Sequence, residues 1–179
     1  MNLSLHLVEQ DDLLAIGTDI PGMEGIVLAP GALPPPVLIE LAARNVALGM
    51  EPLWNSFFLL IVAQPKRAIG SGGFRGPPRA GRVEIGYGVA EEFRCQGAAT
   101  SAVLMLLDRA FASVEVCEVF AETSVANAAS RRVVEKAGFL HMGSRMSAED
   151  GELDQWLCTR KEPPGSCIEL PASMAERHR

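Results

Sequence analysis

Between a run that alternates like a strand and one that repeats like a helix lies Val89-Ala90-Glu91-Glu92-Phe93-Arg94-Cys95-Gln96-Gly97-Ala98-Ala99-Thr100. Gly97 allows a backbone to come close to a ligand, and Ala98 and Ala99 place no bulky side chain over the helix start. The first amides of a helix have no partner inside it and carry partial positive charge, so they suit a phosphate. Each such contact contributes about 0.3–1 kcal/mol, and up to ~2 kcal/mol when partly buried, so several converging amides make a site. Arg94 adds a charged donor. Competing phosphate motifs fail on their spacing. No Gly-Lys-Ser/Thr closes a P-loop, Gly86-Tyr87-Gly88-Val89-Ala90-Glu91 stops one glycine short of a dinucleotide fingerprint, and Gly70-Ser71-Gly72-Gly73 lacks the following helix. Those glycines read as strand geometry.

The elements around this turn follow from periodicity. Leu3, Leu5 and Leu7 alternate as a first strand, and Asp11 or Asp12 caps a short helix through Leu13, Leu14 and Ile16. Residues 18–36 are a Gly- and Pro-rich loop with a helical turn around Met23 to Val27. A helix from Pro35 carries Val37, Leu38, Leu41, Ala42, Asn45, Val46 and Leu48 and stops at Gly49. Strands over 57–62, 68–74 and 82–90 form a meander. The helix from Gly97 to Ser113 shows an apolar stripe of Val103, Leu106, Leu107, Ala110 and Phe111, widened by Leu104 and Met105. A strand from Val114 to Thr123, a helix from Asn127 to Ala137 closed by Gly138, and a hairpin of Phe139–Ser147 and Leu153–Arg160 complete the order. A meander followed by a βαβ unit implies an α/β (α+β) mixed sheet, largely antiparallel, with helices on both faces. Residues 1–160 are expected to form one domain and 161–179 a mobile or loosely docked tail.

Bulk properties narrow the class. Apolar residues make up 48% of the chain and charged residues 21%, the balance of a soluble globule. A net charge of −6 argues against a nucleic-acid partner. The longest apolar run, Phe57 to Ala63, is too short to span a bilayer, and Met1 to His6 lacks the features of a secretory signal. Sparse cysteines (Cys95, Cys117, Cys158, Cys167) with no Cys-x-x-Cys pair fit a reducing cytoplasm better than a disulfide framework. His6, His141 and His178 show no metal-ligand spacing, so no metal is expected.

Arg94-x-x-Gly97-x-Ala99 resembles the Arg/Gln-x-x-Gly-x-Gly/Ala motif of the GNAT acetyltransferase superfamily. The later block Asn127-Ala128-Ala129-Ser130-Arg131-Arg132-Val133-Val134-Glu135-Lys136-Ala137-Gly138-Phe139 is similar to that family's Asn-x-x-Ser helix ending in Glu-Lys-x-Gly-Phe. With Glu84-Ile85-Gly86-Tyr87, the pattern resembles the RimJ/RimL-like branch, which acetylates protein N-termini. The likeness is sharp over residues 68–160 and weak over 1–67. It implies the acyl-CoA N-acyltransferase fold, acetyl-CoA as cosubstrate and an amine acceptor, either a protein N-terminus or a small molecule. It leaves a homodimer open.

The resemblance also implies roles. The pyrophosphate falls on the amides of Gln96, Gly97, Ala98, Ala99 and Thr100, aided by Arg94. The pantetheine arm falls on the main chain of Tyr87, Gly88, Val89 and Ala90, where the strand splays from its neighbour; Gly88 marks a bulge there or merely packs closely. Asn127 contacts the cofactor, caps its helix, or both; Ser130 lies near the thiol or is a surface residue. Glu84, on the same strand face as Gly86 and Gly88, relays a proton through water or is a solvated carboxylate. Many family members place a tyrosine where this chain has Val134, so the usual acid is missing and Ser130 or a water serves in its place. Cys95 sits at the pyrophosphate and is a poor nucleophile candidate. Trp54 is a core or rim residue, with the acceptor pocket drawn from the N-terminal helices and the 18–36 stretch.

An amine must be neutral to attack a thioester. An α-amino group, with pKa about 7.7–8.0, is easier to deprotonate than lysine at about 10.4, a difference of roughly 3.4 kcal/mol at neutral pH. A site without a histidine base favours the easier amine. Catalysis would then be positioning, with oxyanion stabilisation by a strand amide such as that of Val89, and direct transfer without an acyl-enzyme. A small-molecule amine acetyltransferase and a non-catalytic acetyl-CoA-binding module are the competing expectations.

Overall fold

The computed structural model describes residues 2–9, 12–13 and 25–161. Its strands are β1 (Leu3–Leu7), β2 (Val27–Leu28), β3 (Phe58–Val62), β4 (Arg67–Phe74), β5 (Arg82–Val89), β6 (Glu118–Ser124), β7 (Leu140–Ser147) and β8 (Gly151–Thr159). Its helices are α1 (Pro36–Ala47), α2 (Pro52–Asn55), α3 (Ala98–Ala112) and α4 (Ala128–Lys136). The strands form one sheet in the order β1-β3-β4-β5-β6-β8-β7, with β2 beside β4. Pairings are antiparallel except β2–β4 and β5–β6, so β5-α3-β6 is the βαβ unit in an otherwise antiparallel sheet.

Helices cover both faces, as the sequence predicts. Val83 and Ile85 of β5 and Val119 and Ala121 of β6 pack with Val103, Leu106 and Ala110 of α3 and Val134 of α4. On the opposite face Leu59, Ile61 and Ala68 meet Ala42 and Val46 of α1. Leu60 turns the other way, onto Ala98 and Ala102 of α3. β3 is therefore buried on both sides, which is why it reads as an unbroken apolar run rather than an alternation.

The helix ends follow from local chemistry. α1 starts on proline, whose fixed φ suits the first turn. It closes with Gly49 at φ 78°, Gly49 N donating to Val46 O at 2.9 Å and Met50 N to Asn45 O at 3.1 Å, a paired C-terminal lock. The same lock ends α4, where Gly138 N donates to Glu135 O (3.1 Å) and Phe139 N to Val134 O (3.0 Å). Val134 and Phe139 share the main core.

Several boundaries differ from the sequence expectation. Val27 opens β2 instead of ending a helical turn, because it gains parallel pairing with Arg67; Met23 lies outside the described residues. Of the first expected helix only Asp12 and Leu13 are described, both helical and buried; Leu14 and Ile16 lie outside, as does nearly all of 161–179. Pro52 and Trp54 form the short helix α2 just ahead of β3. β6 begins at Glu118, because Ser113 to Val116 turn, with Val116 N bonded to Ser113 O. Val37 and Leu41 on α1 and Leu104 on α3 are exposed despite their place in apolar patterns. The cysteine count points away from disulfides, yet Cys117 is disulfide-bonded, while Cys95 and Cys158 are free.

Candidate active site

β5 and β6 are paired only from Arg82↔Glu118 to Glu84↔Phe120. Beyond that point β6 continues against β8, and β5 continues against β4 alone. The sheet thus opens into a wedge along Ile85 to Val89. Arg75 N donates to Glu84 O and Ala90 N to Ile69 O, so the even-numbered residues of β5 aim their main-chain groups at β4. By strand alternation Tyr87 and Val89 aim theirs into the wedge. The expected splay is present, but Gly88 is not a bulge: the register from Gly70↔Val89 to Phe74↔Ile85 is unbroken. Nor does Gly88 pack closely, since a Cβ there would meet nothing within 4 Å. The close approach belongs to Gly70, whose Cβ would collide with the Gly88 carbonyl.

At the wide end of the wedge, Ala90 begins a turn that runs through a 3-10 segment (Glu91–Phe93) to Gly97, the N-cap of α3. Cys95 and Gly97 both have positive φ, 59° and 82°. The first helical bond runs from Ser101 N to Gly97 O, so the amides of Ala98, Ala99 and Thr100 precede it. Gly97 makes no side-chain cap and the first turn holds no acidic residue, so no side chain there offsets the partial positive charge of this helix end. A Cβ on Gly97 would meet nothing within 4 Å, so the approach is open. The predicted donors Arg94 and Gln96 spend part of their capacity on the turn itself: Gln96 Nε2 donates to Glu92 O at 2.9 Å, and Arg94 Nε to Val89 O at 3.4 Å. Arg67 braces the turn through Glu92 at 2.8 Å.

Past β6, Asn127 caps α4, its Oδ1 accepting from Ser130 N at 3.0 Å. Ser130 in turn meets Tyr87. The phenol hydroxyl lies 2.8 Å from Ser130 Oγ and 3.2 Å from the Ser130 carbonyl. Burial pushes the Tyr87 phenol up, with the Ser130 bond pulling it down. Sequence reasoning placed Tyr87 in the site only through its main chain. Its being the chain's only tyrosine was the one available signal for a side-chain role.

Glu84 lies on the opposite sheet face from Tyr87, with Gly86 and Gly88. It pairs with Arg75 at 3.1 Å between Oε1 and Nε. Burial raises its pKa, Arg75 lowers it, and Glu122 raises it further. A cavity of about 480 Å³ adjoins this face, its lining including Leu38, Asn45, Trp54, Phe57, Ser71 and Gly88. Trp54 is buried against Phe74, ring centroids 4.8 Å apart, and borders the cavity, so it is a core residue with one edge in the pocket. Pro34 and Pro35 from the expected Gly/Pro stretch also reach it; residues 18–24 lie outside the described residues.

A buried carboxylate that sequence reasoning missed ties α4 to the β7–β8 hairpin. Asp154 takes Arg131 Nε at 2.8 Å, Ser144 Oγ at 2.7 Å and His141 Nε2 at 3.1 Å. Nothing in an isolated Asp on a strand signals this, because its partners come from two other elements. Among the described residues no cluster of three or more His, Cys, Asp or Glu is arranged to hold a metal, and no helix is long and apolar enough to cross a membrane.

Residues 30–140 match the family described as acetyltransferase (GNAT) domain. The protein named "Putative ribosomal N-acetyltransferase YdaF" from Bacillus subtilis (strain 168) is 40% identical over 70 residues, a stretch covering 39% of this chain and 37% of that one. Among solved structures, ribosomal-protein-S5-alanine acetyltransferase from Vibrio fischeri superposes with a TM-score of 0.66 at 14% identity, over 92% of this chain and 96% of that one. Aminoglycoside acetyltransferase AAC(6')-Ib in complex with coenzyme A gives 0.61 at 20% identity, over 89% and 95%. At these identities the structural likeness speaks to the fold.

Proposed function

Because the chain belongs to the acetyltransferase (GNAT) domain family, we propose that it moves an acetyl group from acetyl-CoA to a primary amine, a protein N-terminal α-amine first among candidates. The carrying observation is the wedge between β5 and β6 leading to an uncapped, unacidic start of α3. The amides from Gln96 to Thr100 hold the pyrophosphate, with Arg94 beside them. The wedge-facing main chain of Tyr87 and Val89 pairs with the pantetheine arm, flanked by Gly88 and Ala90, and Asn127 contacts the cosubstrate beyond its capping bond. Acetyl-CoA supplies the activated acyl group. The Val89 amide receives the developing oxyanion.

Ser130 stands on one side of the wedge and Glu84 on the other. Ser130 serves the sulfur. Glu84, ion-paired with Arg75 and with its pKa raised by burial, takes up the amine's proton through water. Attack is direct, with no acyl-enzyme. The cavity volume of about 480 Å³ falls in the range of small-molecule sites, which supports a second reading, a small amine as acceptor.

The test is thiol release from acetyl-CoA with a panel of N-terminal peptides, polyamines and aminoglycosides, alongside calorimetry of coenzyme A binding. Turnover with peptides supports the α-amine reading, and turnover confined to small amines supports the second. Coenzyme A binding without turnover on any amine leaves a binding module. No heat on adding coenzyme A ends the proposal.

A further inference from the structure

A departing thiolate needs a proton or a strong hydrogen bond, and Val134, at 0% exposure in the core, offers neither. Tyr87 stands on β5 inside the wedge, beyond the last β5–β6 pair, and its hydroxyl is within hydrogen-bond distance of both oxygens of Ser130. The contact joins residues 43 apart, from β5 to the start of α4 beside the β5–β6 gap. We infer that Tyr87, acting through the Ser130 hydroxyl, is the hydrogen-bond and proton donor to the leaving sulfur, a role that rests on the acetyl transfer proposed above.

The atoms balance. As the bond from nitrogen to carbonyl carbon forms and the carbon–sulfur bond breaks, Ser130 Oγ–H donates to sulfur and Tyr87 O–H donates to Ser130 Oγ. The Tyr87 oxygen recovers a proton from solvent, and the acylated nitrogen gives one up on the Glu84 side. No electron carrier is needed. Ser130 has two oxygens facing the phenol, so the Tyr87 hydrogen can rest on the carbonyl and move to Oγ when the serine's own hydrogen turns to sulfur. A phenol carries its proton at neutral pH, and burial pushes the Tyr87 pKa further up. An ordinary phenol near 10 and a thiol near 8.5 already leave full transfer uphill by about 1.5 units, and burial of this phenol adds to that, so the pair acts mainly on charge as it develops. Tyr87 reaches the sulfur only through Ser130 and is a positioning residue in that sense.

Tyr87→Phe keeps the ring and removes the hydroxyl. The expected result is a fall in kcat of about 10²-fold, the low end for a placed proton donor, with the KM for acetyl-CoA and the calorimetric Kd for coenzyme A little changed. Ser130→Ala loses a similar factor, and the double variant loses no more than the worse single one. Independently of turnover, iodoacetamide alkylation of bound coenzyme A, quantified by mass across pH, reports a higher thiol pKa in Tyr87→Phe than in the parent. An unchanged kcat and thiol pKa, additive losses, or a loss confined to binding and thermal midpoint would each reduce Tyr87 to a strut between β5 and α4. A parent protein inactive on every amine would instead sink the acetyl-transfer reading itself.

Discussion

Asp154 of β8, 3% exposed, holds Arg131 of α4 at 2.8 Å, one residue beyond Ser130. The Ser144 hydroxyl keeps this carboxyl below its ordinary range; burial opposes it, and His141 and Arg131 reinforce it. A carboxyl with a depressed native pKa stabilises the fold above its unfolded value of about 3.9, and that stabilisation disappears as pH falls through the native value. Asp154→Asn should lower the thermal midpoint at neutral pH and flatten its decline in acid. The comparison is a pair of melting curves from pH 7 down to the acid limit. Parallel curves for parent and variant would show that Asp154 carries no such linkage.

Gly97 has φ 82°, a conformation that costs a residue with a Cβ about 1–2 kcal/mol. Nothing lies within 4 Å of its would-be Cβ, so Gly97→Val is penalised by backbone and not by collision. It should lower the melting temperature modestly. It should also weaken coenzyme A binding by tenfold or more, which is ~1.4 kcal/mol, because bulk then stands over the α3 amides. Calorimetry with coenzyme A measures it, and an unaltered Kd would move the pyrophosphate elsewhere.

Gly88 borders the cavity, and a side chain there meets open space. Gly88→Leu should fold normally yet narrow the acceptor's path. Acceptor KM should rise by about tenfold or more, the scale of a few misplaced methylenes, while binding of acetyl-CoA holds. Equal effects on both substrates would place the acceptor in another cleft.

Glu84→Gln tests the base. Burial, against Arg75, holds the carboxyl above its ordinary range, so the acid limb of kcat/KM in the parent should lie above about 4.3, with activity rising as pH climbs through it. The variant should lose that limb and about 10²-fold in turnover. An identical pH–rate profile would leave Glu84 as Arg75's partner and nothing more.

Much of this was legible in the chain because its causes are local. The stripe of Val103, Leu106 and Ala110 fixed α3, and Asn127 with Gly138 bracketed α4. The turn into α3 showed in Gly97 and the small residues after it. What escaped notice is non-local. Val27 became a strand residue only by finding Arg67, and the Tyr87 hydroxyl found its partner only where Ser130 comes alongside. Arg75, just past the end of β4, pairs with Glu84, and Asp154 draws partners from α4 and β7. Periodicity reports which face a residue takes. It does not report who stands opposite.

Three residue pairs join β5 to β6 before the two strands part. The sheet is in effect two slabs on a short spine, each with unspent main-chain groups along the gap. A guest lodged there supplies rungs that neither slab can give the other, and it binds the folded chain alone. Resistance to heat should therefore begin to climb once the cosubstrate passes its dissociation constant and go on rising by about 1.4 kcal/mol for each further tenfold, long after the gap is filled.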